Sequence, residues 1–399
     1  MKMSLTLEKL IKFDLLEESE KYLLNNQVPL LAEYIHVTRE IQSTDQFIKH
    51  SPSFPGSTDK IARDELKSAI GATLAIEGTA LSSEEIEESF RKADLNENLR
   101  RKEQEAENSR KVYHFIRDVV HRERENLVYS EQIIKQIHKY FTDNMNYPAN
   151  VPGDYRGEFP VTFGVPKISG LCRTRAEVDP AMSNFVNWLN EEKSGIITSN
   201  AIAKAIIAHY YLTEIHPFGD GNGRTARALE ALILYHNGIN RYCFWSLANF
   251  WSAHRDEYIT YLRNVRDTCN PWNLIIWGMK GYLGEITRIK GLVLRKVKQL
   301  MLMDYARYLY NTKKNQRIKI NPRILHTLDL LVHIPRIRVS KFLSSPEIQA
   351  LYSNVSPTTK SRDFKKLEDL KLIRIDKEGN DRYIQANFQS LEYLEYRVS

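Results

Sequence analysis

The sequence predicts a mainly α-helical fold, a helical bundle broken by one small β-hairpin and followed by a separate C-terminal module. Three observations carry this. The 17 Gly and 14 Pro of the 399-residue chain gather at 51–56, 147–170 and 217–223, and long stretches between them have helical periodicity. Residues 199–215 are apolar nearly all round, which puts a helix in the middle of a bundle. The last 80 residues follow a pattern of their own. The length exceeds one ordinary compact core, so two or three domains are expected.

Residues 8–49, 60–77, 84–92, 101–124, 129–142 and 180–191 read as helices. Val, Thr, Phe and Ile alternate with turn residues over 151–171, and 155–168 reads as a hairpin or extended flap. The helix at 199–215 carries only Lys204 and Glu214 as charged groups. It stops at His216-Pro217, because proline disfavours helix in the residue before it. A glycine-rich loop follows, then a second helix over 225–237 closed by Gly238. Residues 216–227 therefore join two buried helices.

A long helix spans 280–311. After a charged turn come helices at 322–334, 345–352 and 356–371, the last with Ser356 as N-cap and Pro357 at its first position. Residues 372–388 read as two strands about a Gly-Asn turn. Helix, helix, helix, hairpin is the layout of a winged helix-turn-helix. The expected division is an N-terminal helical region (1–105), a core (106–278), a linking helix (279–318) and a winged-helix domain (319–399).

Composition narrows the class. Mean hydropathy is −0.45, and every apolar run falls short of the ~18 residues of a membrane helix, so no membrane partner is expected. Acids in the first twenty residues argue against a signal peptide. Cys172, Cys243 and Cys269 form no close pair, which excludes a disulfide framework and a cysteine zinc ribbon. A reducing, cytoplasmic setting is the expectation. The net charge of +7 is unevenly spread. Residues 281–399 hold 23 Lys and Arg against 12 Asp and Glu, a net of +11, leaving −4 over 1–280.

The most informative stretch is His216-Pro-Phe218-Gly-Asp220-Gly221-Asn222-Gly223-Arg224-Thr-Ala-Arg227. Gly221 and Gly223 leave the loop backbone unobstructed. Their N–H groups, with those of Asn222 and Arg224, sit where a helix begins and form a cradle for phosphate. Arg224 and Arg227 are three apart on one face and can reach the same polyphosphate. Asp220 is the loop's carboxylate, and beside phosphates its natural partner is Mg2+. His216 can take a proton near neutral pH. Together they describe phosphoryl or nucleotidyl transfer.

The stretch resembles the Fic family motif, H-x-F-x-[D/E]-G-N-G-R-x-x-R, at every specified position. The resemblance implies a helical core and transfer of AMP from ATP to a Tyr, Thr or Ser hydroxyl of a target protein, the chain itself being one candidate. His216 would deprotonate the hydroxyl, which attacks the α-phosphate. Asp220 would hold Mg2+, and Gly221, Asn222 and Gly223 would form the anion hole. Arg224 and Arg227 would grip the β- and γ-phosphates, and Phe218 would anchor the loop. Phosphorylating relatives typically carry Lys where this chain has Gly223, which favours AMP transfer; phosphocholine transfer is a rarer alternative. The hairpin would be the flap that aligns the target by strand addition. Residues 246–265 would be the adenine side, with Tyr258 and Tyr261 as candidates to face the base, or as core.

Thr73-Leu-Ala-Ile-Glu77-Gly78 resembles the inhibitory motif of Fic proteins with an N-terminal brake, [S/T]-x-x-x-E-[G/N]. Glu77 would pair with Arg227 and take the guanidinium that should hold the γ-phosphate. In some relatives the same glutamate helps remove AMP, so a reverse activity stays open. Relatives also form dimers, so a homodimer is one expected assembly. The remaining histidines read as structural, His209 as a core residue. In the C-terminal module, Thr358, Thr359 and Arg362, flanked by Lys360, Lys365, Lys366, Lys371 and Arg374, suit DNA bound through 356–387. A protein-docking role is the alternative, and a DNA-binding regulator with a nucleotide-sensing core is the competing function.

Overall fold

The computed structural model describes residues 13–25, 27–51, 57–147, 150–157, 162–163, 168–169, 172, 174–239, 247–311 and 320–393. The chain forms two compact units, residues 1–290 and 291–399. The charged turn after 311, the Pro-rich segment 52–56 and Cys243 lie outside the described residues.

The first unit opens with α1 (Leu15–Leu24) and α2 (Val28–His50). The expected single run over 8–49 is therefore two helices. Pro29 stands in the first turn of α2, where its missing N–H costs no helical bond, and so it starts a helix rather than continuing one. Next come α3 (Ser57–Ile76), α4 (Ser83–Asp94), α5 (Arg101–Glu123) and α6 (Glu131–Thr142). Leu66, Ala69, Ile70 and Leu74 of α3 pack with Ile86 and Phe90 of α4, Ala106 and Tyr113 of α5, and Ala231. At helical spacing, 66, 70, 73 and 77 share one face, so Thr73 extends the buried stripe of α3 and Glu77, just past its end, stands at that stripe's exposed edge. Gly78 has φ +92°, and Thr79 N–H bonds back to Leu74 O at 3.0 Å, a left-handed cap that ends α3.

Strands β1 (Thr162–Phe163) and β2 (Ile168–Ser169) pair antiparallel, Thr162 with Ser169 and Phe163 with Ile168. They form the expected hairpin. Helix α7 (Arg175–Asn190) starts five residues before expectation, on a capping box between Thr174 and Glu177. Then come α8 (Ala201–Ile215) and α9 (Asn222–His236), buried almost all round. Helix α9 begins at Asn222, not at 225, so half of the glycine-rich segment is its first turn. Residues 246–265 divide between α10 (Ala248–Ala253) and α11 (Arg255–Thr268), and α12 spans Trp272–Asn311.

The second unit packs α13 (Pro322–Val332), α14 (Val339–Leu343), α15 (Pro346–Leu351) and α16 (Pro357–Asp369) with a three-stranded antiparallel sheet. Its strands are β3 (Ile337–Arg338), β4 (Ile373–Glu378) and β5 (Asp381–Ala386), in the order β3-β5-β4. Ser356 caps α16 as expected, accepting from Thr359 N–H at 3.2 Å. The short β3 and α14 escape the sequence pattern, being too brief to show a period. Leu328, Phe342, Ile348, Leu367 and Ile384 share this unit's core.

Candidate active site

The loop between α8 and α9 is held in one shape by its own side chains. Phe218 is fully buried and stacks on the His138 ring of α6, centroids 3.8 Å apart. Asn222 closes the loop on itself, its amide accepting from Phe218 N–H and donating to Phe218 O, both at 2.9 Å. Asn222 is thus first a loop clasp, and its backbone N–H is what remains for an anion. His138 accepts from Gly153 N–H at 3.1 Å through Nδ1. Its Nε2–H therefore donates to Asp220 O, at 3.0 Å. Burial holds this imidazole neutral, its pKa pushed down to about 4.

His216 ends α8 in the left-handed region, φ 52° and ψ 57°. Its Nδ1 faces Thr213 O at 3.1 Å. A carbonyl only accepts, so Nδ1 carries the proton and Nε2 the lone pair. Burial dominates its electrostatics, the Thr213 bond opposes it, and the pKa falls to about 4. At neutral pH His216 is a neutral base.

Gly221, with φ +75°, is the N-cap of α9, and its carbonyl accepts the first helical bond, from Thr225 N–H at 2.9 Å. The N–H groups of Asn222, Gly223 and Arg224 precede that bond and have no acceptor within the helix. They and the helix dipole make this end attractive to an anion. A carboxylate lies there. A Cβ on Gly223 would stand 2.6 Å from Glu77 Oε1.

Glu77 Oε1 also accepts from Arg227 at 2.6 Å. Arg227 is 1% exposed. Its Nε donates to Thr73 Oγ1 at 2.8 Å and its terminal nitrogen to Thr73 O at 3.2 Å. Burial pushes the Glu77 carboxyl up, but the charge and hydrogen bond of Arg227, aided by Arg224 and His216, outweigh it and hold the carboxyl below its usual range. Asp220 accepts from Arg224 at 2.6 Å, and Arg224 also donates to Tyr147 OH at 3.2 Å. Arg224 Nε is buried without a hydrogen-bond partner, a donor that a ligand oxygen would satisfy. The structure thus brings His216, Phe218, Asp220, Gly221, Asn222, Gly223, Arg224 and Arg227 together with Thr73, Glu77 and Gly78.

Tyr258 is not poised to face a base. It is 5% exposed, and its hydroxyl meets His209 Nε2 at 2.8 Å and bonds Arg227. His209 Nδ1 in turn meets buried Glu230 at 2.7 Å, so both ring nitrogens are engaged, as expected of a core histidine. Tyr261 stacks on Trp277 with centroids 4.5 Å apart. Sequence reasoning missed Tyr147, His138 as a loop support, Asn150, whose side chain accepts from Asp220 N–H at 3.1 Å, and Arg156. Residues 158–161 and 164–167 of the flap lie outside the described residues.

Residues 128–234 match the model of the Fic/DOC family. The chain carries a Fic domain. A probable protein adenylyltransferase of Aquifex aeolicus is 32% identical over 166 residues, 40% of this chain and 41% of that protein. The protein adenylyltransferase Fic of Culex quinquefasciatus is 39% identical over 82 residues, 21% of this chain and 15% of that protein. The aligned part thus spans about two-fifths of the Aquifex relative and less of the mosquito one. Among solved structures, a Fic family protein from Desulfovibrio desulfuricans superposes with a TM-score of 0.53 at 16% identity, covering 89% of this chain and 96% of that one. Fic-1 of Caenorhabditis elegans gives 0.51 at 23% identity, covering 66% and 74%. These likenesses establish a Fic-type helical fold.

Proposed function

We propose that this Fic-domain chain is a self-inhibited protein adenylyltransferase that moves AMP from ATP to a Tyr, Thr or Ser hydroxyl of a protein and releases pyrophosphate. The observation that carries this reading is the Glu77 carboxylate, seated over Gly223 and bonded to buried Arg227 at 2.6 Å. An acidic side chain already fills a site built for an anion. In the reaction, His216 Nε2 takes the proton of the target hydroxyl, and that oxygen forms the new bond to the α-phosphorus. The bond from the α-phosphorus to the bridging oxygen breaks, and pyrophosphate leaves. The N–H groups of Gly221, Asn222 and Gly223 bind phosphate oxygens, and Arg224 and Arg227 take the β- and γ-phosphates. The flap strands align the target segment by strand addition. While Glu77 holds Arg227, the γ-phosphate has no seat and ATP binds unproductively.

Asp220 suits a cation that draws most of its ligands from phosphate and water. It supplies one half-exposed carboxylate, and among the described residues no group of three or more His, Cys, Asp or Glu converges. Mg2+ held there by Asp220 would neutralise phosphate charge.

The test is self-labelling of the full chain with ATP labelled at the α- or the γ-phosphate. Glu77→Gly is expected to raise α-label transfer well above the parent, and His216→Ala in that background to abolish it. Transfer of the γ-label instead would make the chain a kinase. Equal α-labelling with and without Glu77 would remove the brake.

For the second unit, we read 319–399 as a winged helix with DNA as its partner. Of the three acids of α16, Asp363 turns inward to Arg323 at 2.6 Å while Glu368 and Asp369 stay exposed at its C-terminal end, and Thr358, Arg362 and Lys365 are exposed nearer its start. Arg362→Ala with Lys365→Ala is expected to weaken binding to a mixed-sequence duplex at low salt, where phosphate contacts dominate. A parent chain that binds no duplex under those conditions leaves protein docking as the reading.

A further inference from the structure

Arg156 is a buried cation, 4% exposed, in the segment that leads into the flap. Its backbone N–H donates to Pro217 O at 2.8 Å. Its side-chain Nε donates to His216 O at 2.7 Å. A terminal nitrogen of the same guanidinium donates to the carbonyl of buried Cys172, on the far side of the hairpin. One side chain therefore ties three places: the chain entering the flap, the chain leaving it, and the peptide of His216. That peptide needs holding, because a non-glycine residue at φ 52° is sparsely populated and persists only where its surroundings enforce it. Hydrogen bonds from a charged donor to a carbonyl are among the stronger ones available.

We propose that Arg156 is a positioning residue that sets the base and the target-presenting flap as one unit. Its planar fork reaches the His216 and Cys172 carbonyls together, which fixes where the imidazole stands relative to the strands that present the hydroxyl. A displacement of about 1 Å between base and nucleophile is enough to cost on the order of 100-fold in rate. The charge has a second effect. The groups acting on the imidazole are Arg156 and Arg266, which disfavour its protonation, and Glu77, which favours it. In a chain lacking Glu77, Arg156 and Arg266 are left, and both keep His216 unprotonated.

The inference rests on the assignment of His216 as base in AMP transfer, and the experiment separates the two. The parent is full-length Glu77→Gly, assayed by α-label transfer across pH. A parent that transfers no AMP overturns the functional reading itself, and the positioning role with it. With an active parent, Arg156→Lys keeps the cation but loses the fork. It is expected to lower kcat at least tenfold, leave KM for ATP within twofold, and leave the acid limb of the pH profile in place. Arg156→Gln loses fork and charge, and is expected to lower kcat similarly and move the acid limb to higher pH. The proposal is overturned if either variant melts like the parent and keeps kcat within twofold. It is also overturned if Arg156→Gln leaves the acid limb where it was, which would make the residue a support for the fold alone. Where Arg156→Gln fails to melt cooperatively, the lysine variant decides by its kcat and KM. A lysine variant that also fails to fold assigns Arg156 to folding and overturns the proposal.

Discussion

Thr73 and Glu77 hold one guanidinium between them, through bonds of 2.8 and 2.6 Å. Replacing Thr73 with valine keeps the shape but leaves Arg227 Nε without its acceptor. A buried donor left unmade costs about 1–3 kcal/mol, and ~1 kcal/mol already shifts a two-state ratio about fivefold. Thr73→Val is expected to raise self-labelling with α-labelled ATP several-fold, by less than Glu77→Gly does; labelling at or below the parent's contradicts this. The imidazole of His216 sets a second expectation. With its pKa near 4, kcat/KM of Glu77→Gly should be flat from pH 5.5 to 8 on the base's account, and a limb near 6.5 would show an ordinary histidine. Losing Glu77 removes a charge that favours the imidazolium, so the limb moves lower still. The motif residues were legible because they are contiguous and chemically specific. Their supports were not. Arg156 is 60 residues from His216 and His138 is 82 from Asp220, so only the fold joins them.

Helix α3 is the element that would carry the proposed brake, and polar ties hold it along its length. Arg288 of α12 reaches buried Glu65 at 2.8 Å, Ser68 bonds Asn249 of α10 at 3.0 Å, and Arg255 of α11 donates to Ile76 O at 3.1 Å. Arg288→Ala strands the Glu65 carboxylate, which is costly for a buried charge. Faster amide exchange over 59–76 and higher α-label transfer than the parent are expected; unchanged exchange would mean that apolar packing alone holds α3. Most of these helices were readable from periodicity. Errors fell where one residue decides a boundary: Pro29 dividing 8–49 and Gly221 starting α9 early. Tyr258 was readable as a helical aromatic, but not as a partner of His209 and Arg227.

Across the whole molecule, burial of ionisable groups ties stability to pH. His138 and His216 have folded pKa values near 4, below the usual 6.5. Between those values the unfolded chain binds protons that the folded one refuses, so stability falls as pH drops from 6.5 towards 4. Glu214 works the other way. Burial lifts it to about 7, against the opposing charge of Arg266, so its penalty grows as pH rises from 4.5 to 7. Burial also lowers His114 and His236 and raises Asp45 and Asp220; with four imidazoles acting across this range, a lower melting temperature at pH 5 than at pH 7 and a shallower slope in His138→Asn are expected, both measurable by thermal unfolding. The depth of Arg227 has a further consequence. A guanidinium so thoroughly desolvated is poorly tolerated without an anion beside it. Glu77 cannot simply swing away and leave the seat empty at low cost. On the proposed reading the switch would have no comfortable neutral position, and opening would be an exchange of one anion for another, the arriving phosphate helping to drive out the carboxylate in its seat.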